Sequence, residues 1–400
     1  NKTVTLGNQT VLKARLSDAK FFVEADLASS SSIRCELLKK VSFSEGLGSL
    51  FDRVKRIEWI VEQLIKKIKI KSINSNNAFQ AARLCKHDLV SQMVGEFPEL
   101  EGIIGGKYLL KEGEPREVAL AVLEHYLPRF TGDSLPSSNT GAVLALAERF
   151  ELLMSIFSKG ERPSGSSDPY ALRRAGNGIL QILWDREWEF DLNNLLQEFI
   201  NHWASLFPEF SINQSQIFND LTQFFRQRII SLLEDEGIDI DLINAVTGDI
   251  ESISSLLCNP SDTKLRASVL SKMRESNILS SLQLVVTRAS RIAENSQLPL
   301  NILEPEGFID AKLFEKQSEF ELYKVISSLE PISKSKSKDR YFELAKVLID
   351  GSIALANFFD GEQSVMVMTD NLKIRFNRLN LLAIIRNQAR VLADFDQIST

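Results

Sequence analysis

Apolar residues recur along most of this chain at steps of three and four. Leu50, Val54, Ile57, Val61, Leu64 and Ile68 follow that rule, which places them on one face of a helix. Val143, Leu146, Phe150, Leu153 and Phe157 do the same and predict a second helix. Asp168-Pro169 predicts a helix start, because the Asp oxygen accepts an orphan N–H and Pro fits the first turn. Leu172, Ala175, Ile179 and Ile182 then mark that helix's buried face. Gly176 and Gly178 weaken it by up to about 1 kcal/mol each relative to Ala, unless close packing requires them. Past a break at Phe207-Pro208-Glu209, Ile217, Leu221, Phe224 and Leu232 predict another amphipathic helix. Alternation with a period of two is scarce. Residues 4–16 and 365–368 are the only short strand candidates, and the fold class reads as all-α.

Loops are predicted at residues 29–32, 102–106, 132–140 and 160–167, and the run Ser333-Lys334-Ser335-Lys336-Ser337-Lys338 reads as a polar connector. The break near 208 sets a boundary between a first domain, 1–208 with an N-terminal linker 1–20, and a second, 209–400. There is no internal repeat.

Composition narrows the class. A chain of 400 residues suits two or three domains. With 44% hydrophobic and 25% charged residues it has the balance of a folded soluble protein, not of a disordered one. No apolar run approaches the ~20 residues of a membrane helix, and the N-terminus has no basic-then-apolar signal pattern. Cys35, Cys85 and Cys258 are odd in number and widely spaced, which predicts a reduced, cytoplasmic protein without a membrane partner. The absence of an initiator Met predicts that the chain is part of something longer. A net charge of −6 argues against wholesale polyanion binding but leaves room for a local basic face.

Candidate chemistry begins at His87-Asp88. Such a pair is half of the metal site of an HD-type phosphohydrolase, which binds its metal with an earlier His, the His-Asp pair and a distant Asp. Residues 1–86 contain no histidine, so the set fails at its first ligand. The plain alternative makes Asp88 a hydrogen-bonding or capping residue and His87 a partly exposed helix residue. No Gly-x-Ser-x-Gly elbow is present, Cys85 and His87 are two apart on a predicted helix, and neither Gly46-Leu47-Gly48 nor Gly102 to Gly106 makes a phosphate loop. The expectation is a chain with no catalytic residue, no metal and no cofactor of its own.

The C-terminal segment carries a different signal. Between Asn371 and Val391 stand Lys373, Arg375, Arg378, Arg386 and Arg390, with no acidic residue. On a helix the four arginines fall within an arc of about 120°. Ile374, Leu381, Ile384, Ile385 and Leu392 lie on roughly the other side, so a basic stripe is expected to face outward. Guanidinium groups in such a stripe suit phosphates. The alternative is a solvated face or a set of internal ion pairs. Lys334, Lys336, Lys338 and Arg340 make a second basic cluster.

Several blocks together resemble the β subunit of bacterial glycyl-tRNA synthetase, in order along the chain. They are Gly7-Asn8-Gln9-Thr10-Val11-Leu12-Lys13-Ala14-Arg15-Leu16-Ser17-Asp18-Ala19 and Phe21-Phe22; the run from Leu84 to Gly102; His125-Tyr126-Leu127-Pro128-Arg129-Phe130-Thr131-Gly132-Asp133; Asp168-Pro169-Tyr170-Ala171-Leu172-Arg173-Arg174-Ala175; Phe358-Phe359-Asp360, Val365-Met366-Val367 and Arg375-Phe376-Asn377-Arg378-Leu379. The resemblance implies a degenerate HD-like helical domain followed by a helical-bundle anticodon-binding domain of the arginyl-tRNA synthetase type. It implies an α2β2 enzyme in which the α subunit uses glycine, ATP and Mg while this chain holds tRNA-Gly. The tRNA-binding candidates are then Arg375, Arg378, Arg386 and Arg390 with Lys373, followed by Lys338 and Arg340, and by Arg173 and Arg174 in the first domain. Against the family pattern, His87 stands where a small residue is usual, Ser167 and Gln181 replace usually basic residues, and the loop 361–364 is slightly longer. Two rival expectations remain: a metal-dependent phosphohydrolase, and a scaffold that only holds the α subunit.

Overall fold

The computed structural model describes residues 2–68, 73–189, 191–248, 253–337 and 339–399. Among them every regular element is helical, and the only β pairings are the isolated bridges Ser42–Ser49 and Ser164–Ser167. The chain is all-α, as its periodicity predicts. It forms two compact units, Asn1–Arg228 and Ile229–Thr400. The sequence-based boundary near 208 falls just after a helix end; the division between the compact units falls inside the next helix, Gln214–Asp235.

The first unit contains α1 (Lys2–Leu27), α2 (Ser31–Leu37), α3 (Leu50–Lys67), α4 (Ser75–Leu84), α5 (Gln92–Glu96), α6 (Ile103–Glu112), α7 (Arg116–Glu124), α8 (Asn139–Ser158), α9 (Leu172–Arg186), α10 (Leu192–Leu206) and the start of α11 (Gln214–Asp235). α3 is one-sided, as predicted. Ser49 and Asp52 close its first turn as a reciprocal cap, and Val54, Ile57, Val61 and Leu64 are buried. α8 is different. The pattern suggested one apolar face, yet only Asn139 and Leu152 escape burial, because α3, α4, α7, α9 and α10 all pack on it. A helix that is apolar nearly all round belongs at the centre of its unit.

Three local expectations change. Residues 4–16 are not a strand or a linker but part of α1, where the backbone N–H groups beyond the first turn bond within the helix instead of needing a neighbouring strand. The C-terminal end of α1 carries its apolar packing: Ala19, Phe22, Val23 and Leu27 lie against Met93, Val94, Ile104 and Tyr108. α9 begins at Leu172, after Ala171 at φ +55, and the Asp168 carboxylate still caps it by accepting from Leu172 N (2.8 Å) and Arg173 N (2.9 Å). α9's two glycines answer to packing. A Cβ on Gly176 would stand 2.6 Å from the Phe224 ring, and one on Gly178 would stand 2.5 Å from Arg149 Nε. Finally, of the predicted loop 102–106 only Gly102 lies outside a helix. Gly105 and Gly106 sit inside α6, where a Cβ on Gly106 would meet Ala119 O at 2.6 Å.

The second unit contains α12 (Ile240–Thr247), α13 (Ile253–Cys258), α14 (Pro260–Glu275), α15 (Leu279–Ala293), α16 (Gln317–Lys334), α17 (Arg340–Asp350), α18 (Ser352–Phe359) and α19 (Leu372–Arg390). α19 packs against both α15 and α16, and every residue from Asn377 to Ala389 except Asn380 is buried. Residues 365–368, the other strand candidate, form irregular chain before α19. No helix among the described residues is long and apolar enough to cross a membrane.

Candidate nucleic-acid interface

His87 and Asp88 lie in a short 3-10 turn after α4, and both are fully buried. His87 is therefore not the partly exposed residue its sequence context suggested. Arg34 Nε can only donate, so its 3.1 Å bond makes His87 Nδ1 an acceptor. Nε2 then carries the proton and donates to Gly105 O at 3.2 Å. Burial lowers the His87 pKa to about 4, and the Arg34 charge adds to the effect. Asp88 Oδ2 accepts from Gly102 N (2.7 Å) and Gly105 N (3.0 Å), closing the first turn of α6. Burial raises the Asp88 pKa, and those two amides work against it. This pair does not fit a metal. The imidazole has no free lone pair, and a guanidinium stands where the cation would approach. Among the described residues no three His, Cys, Asp or Glu side chains converge as a ligand set. Cys35 and Cys85 do not supply a nucleophile either, since burial pushes both thiols up to about 12.

A buried charge cluster escaped the sequence reading. Lys86 Nζ donates to His125 Nε2 (3.0 Å) and Glu148 Oε1 (3.3 Å) and sits 3.9 Å over the Tyr126 ring. Arg53 bridges Glu148 (2.8 Å) and Glu151 (2.6 Å), and Arg56 reaches Glu151 at 2.8 Å. Burial tends to raise the Glu148 pKa, but Lys86, Arg53 and Arg149 outweigh it and hold the carboxyl well below its usual range. Arg149 spends its guanidinium on the carbonyls of His125, Ala145, Tyr126 and Pro128. These groups tie α3, α4, α7 and α8 together. Glu148, Arg149 and Glu151 within an otherwise apolar helix were the available signal.

The basic residues of the second unit separate into two kinds. Arg378 is buried; it donates to Glu319 Oε1 (2.9 Å), Glu315 Oε2 (2.8 Å) and Met366 O (3.0 Å). Arg386 is buried as well, on Ala293 O (3.1 Å) and Asn387 Oδ1 (3.0 Å). The expected outward stripe of four arginines is thus corrected: α19 has neighbours on the arginine side too, and a buried guanidinium must be satisfied internally. Lys373 remains exposed, and its ammonium has no ion-pair partner among the described residues. Arg375 is half-buried and donates Nε to Thr369 O at 2.7 Å, with no carboxylate partner among the described residues. Arg390 is exposed and pairs with Asp394 at 3.2 Å.

Arg340 is half-buried and committed to Asp262 (2.9 Å), Ser335 O (2.7 Å) and the Tyr341 hydroxyl. Lys338 lies outside the described residues. In the first unit, half-buried Arg173 donates to Gly165 O (2.8 Å) and exposed Arg174 to Arg129 O (3.3 Å). The structure places Lys373 and Arg375 on the first turn of α19, with Arg173 and Arg174 on the first turn of α9 in the other unit.

The described residues thus form an all-helical protein whose buried charged side chains bond to internal partners, with a few uncompensated surface cations. The model of one protein family, described as glycyl-tRNA synthetase beta subunit, matches residues 1–248. The glycine–tRNA ligase beta subunit of Trichodesmium erythraeum is 41% identical over 406 positions, which cover 100% of this chain and 56% of that protein. Those of Synechocystis (38% identical) and Halothermothrix orenii (35%) each align with 99% of this chain and cover 56% and 55% of their own length. The chain belongs to the glycyl-tRNA synthetase beta subunit family. It spans little more than half the length of the curated relatives it matches.

Proposed function

We propose that this chain is the tRNA-holding part of a glycine–tRNA ligase. It would bind tRNA-Gly so that a catalytic α subunit, within an α2β2 assembly in the cytoplasm, joins glycine to it at the expense of ATP with Mg. The observation that carries this reading is the similarity to ligase beta subunits along the whole chain. The first unit is read as a degenerate HD-like domain and the second as an anticodon-binding domain of the arginyl-tRNA synthetase type. Phosphate contacts fall to exposed Lys373, to Arg375 and to Arg390, with Arg173 and Arg174 in the first unit. The internal bonds of Arg378, Arg386 and Arg340 make them supports for that surface.

The test is a filter-binding salt titration with tRNA-Gly and a second tRNA as competitor. The double variant Lys373→Ala/Arg375→Ala should weaken binding and flatten the dependence on log salt by roughly one unit per lost phosphate contact. Unchanged affinity and slope would remove the assignment. The metal phosphohydrolase reading finds no support in the His87–Asp88 geometry. A scaffold without RNA contact predicts α-subunit binding with no shift of tRNA.

A further inference from the structure

A cleft of about 540 Å³ opens in the first unit between the loop after α7 and one face of α9. Its walls include Arg129, Phe130, Arg174, Asn177 and Gln181, and no carboxylate. The nearest acid in the loop, Asp133, turns its oxygens inward onto Arg129 N and Ser134 N, both at 2.8 Å. Among the described residues neither guanidinium has an ion-pair partner. Arg129 donates to Glu99 O (3.1 Å) and Glu101 O (2.8 Å), and Arg174 donates to Arg129 O. Backbone carbonyls orient the two groups without cancelling their charge. Phe130 is 63% exposed at the rim, unusual for an aromatic side chain with nothing to cover it. Asn177 Oδ1 is buried and accepts no hydrogen bond from the protein.

We propose that this cleft binds an unpaired nucleotide of an RNA, with the base stacked on Phe130, a phosphate on Arg174, and an amino group of the base donating to Asn177 Oδ1. Each part follows from chemistry. Every base has a π-face that stacks on an exposed aromatic ring, and unpaired bases are the ones free to do so. Uncompensated guanidinium groups suit phosphate. An amide with an unused oxygen seeks a donor, and adenine, cytosine and guanine each offer an exocyclic amine where uracil has none. An acidic protein segment would satisfy the arginines but would leave both the exposed ring and the amide acceptor without a role. The proposal rests on the tRNA-holding reading and adds a second contact surface to it, on a different unit from Lys373 and Arg375.

The experiment is fluorescence anisotropy with the intact chain, using labelled oligo-adenylate, oligo-uridylate and tRNA-Gly. Phe130→Ala and Arg174→Ala should each weaken oligo-adenylate binding by roughly fivefold or more, the lower range for one base–aromatic stack. Phe130→Trp should restore the affinity. Oligo-adenylate should bind more tightly than oligo-uridylate, and Asn177→Ala should reduce that preference. Both main substitutions are on exposed side chains, so their thermal midpoints should match the parent. If Phe130→Ala and Arg174→Ala bind as the parent does while Lys373→Ala/Arg375→Ala loses tRNA affinity, the cleft proposal fails, Arg174 leaves the set of phosphate contacts, and the tRNA-holding reading stands on Lys373 and Arg375. If the intact chain binds no tRNA, the broader reading fails. If the cleft variants instead lose only α-subunit assembly, the cleft is a protein interface and the proposal is overturned.

Discussion

Replacing Arg378 with Ala separates a support from a phosphate contact. Arg378 is part of α19, with its side chain 4% exposed, and Glu319, to which it is doubly bonded, is 0% exposed. Removing the guanidinium leaves the Glu319 carboxylate buried, with only Glu315 N (2.8 Å) and Lys316 N (3.0 Å) donating to Oε2. Breaking a buried pair from one side costs about 3–5 kcal/mol. The partner Glu315 is 58% exposed and contributes little of that, so the lower end, about 3 kcal/mol, is expected. Urea unfolding followed by circular dichroism measures the loss. The double change Arg378→Met/Glu319→Gln removes both charges and should recover most of it. At temperatures where Arg378→Ala remains folded, the salt slope of tRNA binding should equal the parent's. A stability change below about 1 kcal/mol together with a flatter slope would show that Arg378 reaches RNA, and the reasoning would be wrong.

Gly178→Ala should destabilise the first unit by about 1–3 kcal/mol, because its Cβ would sit 2.5 Å from Arg149 Nε in a packed interior; a thermal midpoint equal to the parent's would contradict this. His87 is neutral when folded, with a pKa lowered to about 4 from 6.5. Above pH 6.5 it is neutral whether folded or unfolded. As pH falls from 6.5 towards 4, the unfolded chain takes up the proton first and stability drops, by about 3 kcal/mol across the window. In His87→Asn that contribution vanishes, so the stability gap to the parent should narrow towards pH 4.5; parallel curves would refute it. For the surface reading, Lys373→Ala/Arg375→Ala should reduce tRNA affinity with a change in unfolding free energy within about 1 kcal/mol.

How much of this could be read beforehand depended on how many neighbours each helix has. α3 has one buried face, and its steps of three and four placed Val54, Ile57 and Val61 correctly. α8 and α19 are enclosed, so an arc drawn on either helix does not say which side meets solvent. Arg378 illustrates the point. Its angle on α19 was calculable, but Glu319, 59 residues earlier in the chain, decides that it turns inward. The capping role of Asp168 was legible because it is local; the extra turn through Ala171 was not, since positive φ at an alanine is unusual. Gly105 and Gly106 read as loop from composition, whereas Asp88 and Ala119 from other segments demand small residues inside α6. The cleft joins Arg129 and Arg174 across 45 residues, and no periodic pattern connects them.

Arg149 has a consequence for the timing of binding. By gathering the carbonyls of His125, Tyr126 and Pro128 onto one buried guanidinium, it fastens the loop that carries Arg129 and Phe130 to the central helix of its unit. The loop's conformational freedom is therefore surrendered when the protein folds and not when a nucleotide arrives. A preorganised loop of this kind loses less entropy on association, so its affinity is set in a buried helix that no nucleotide ever touches.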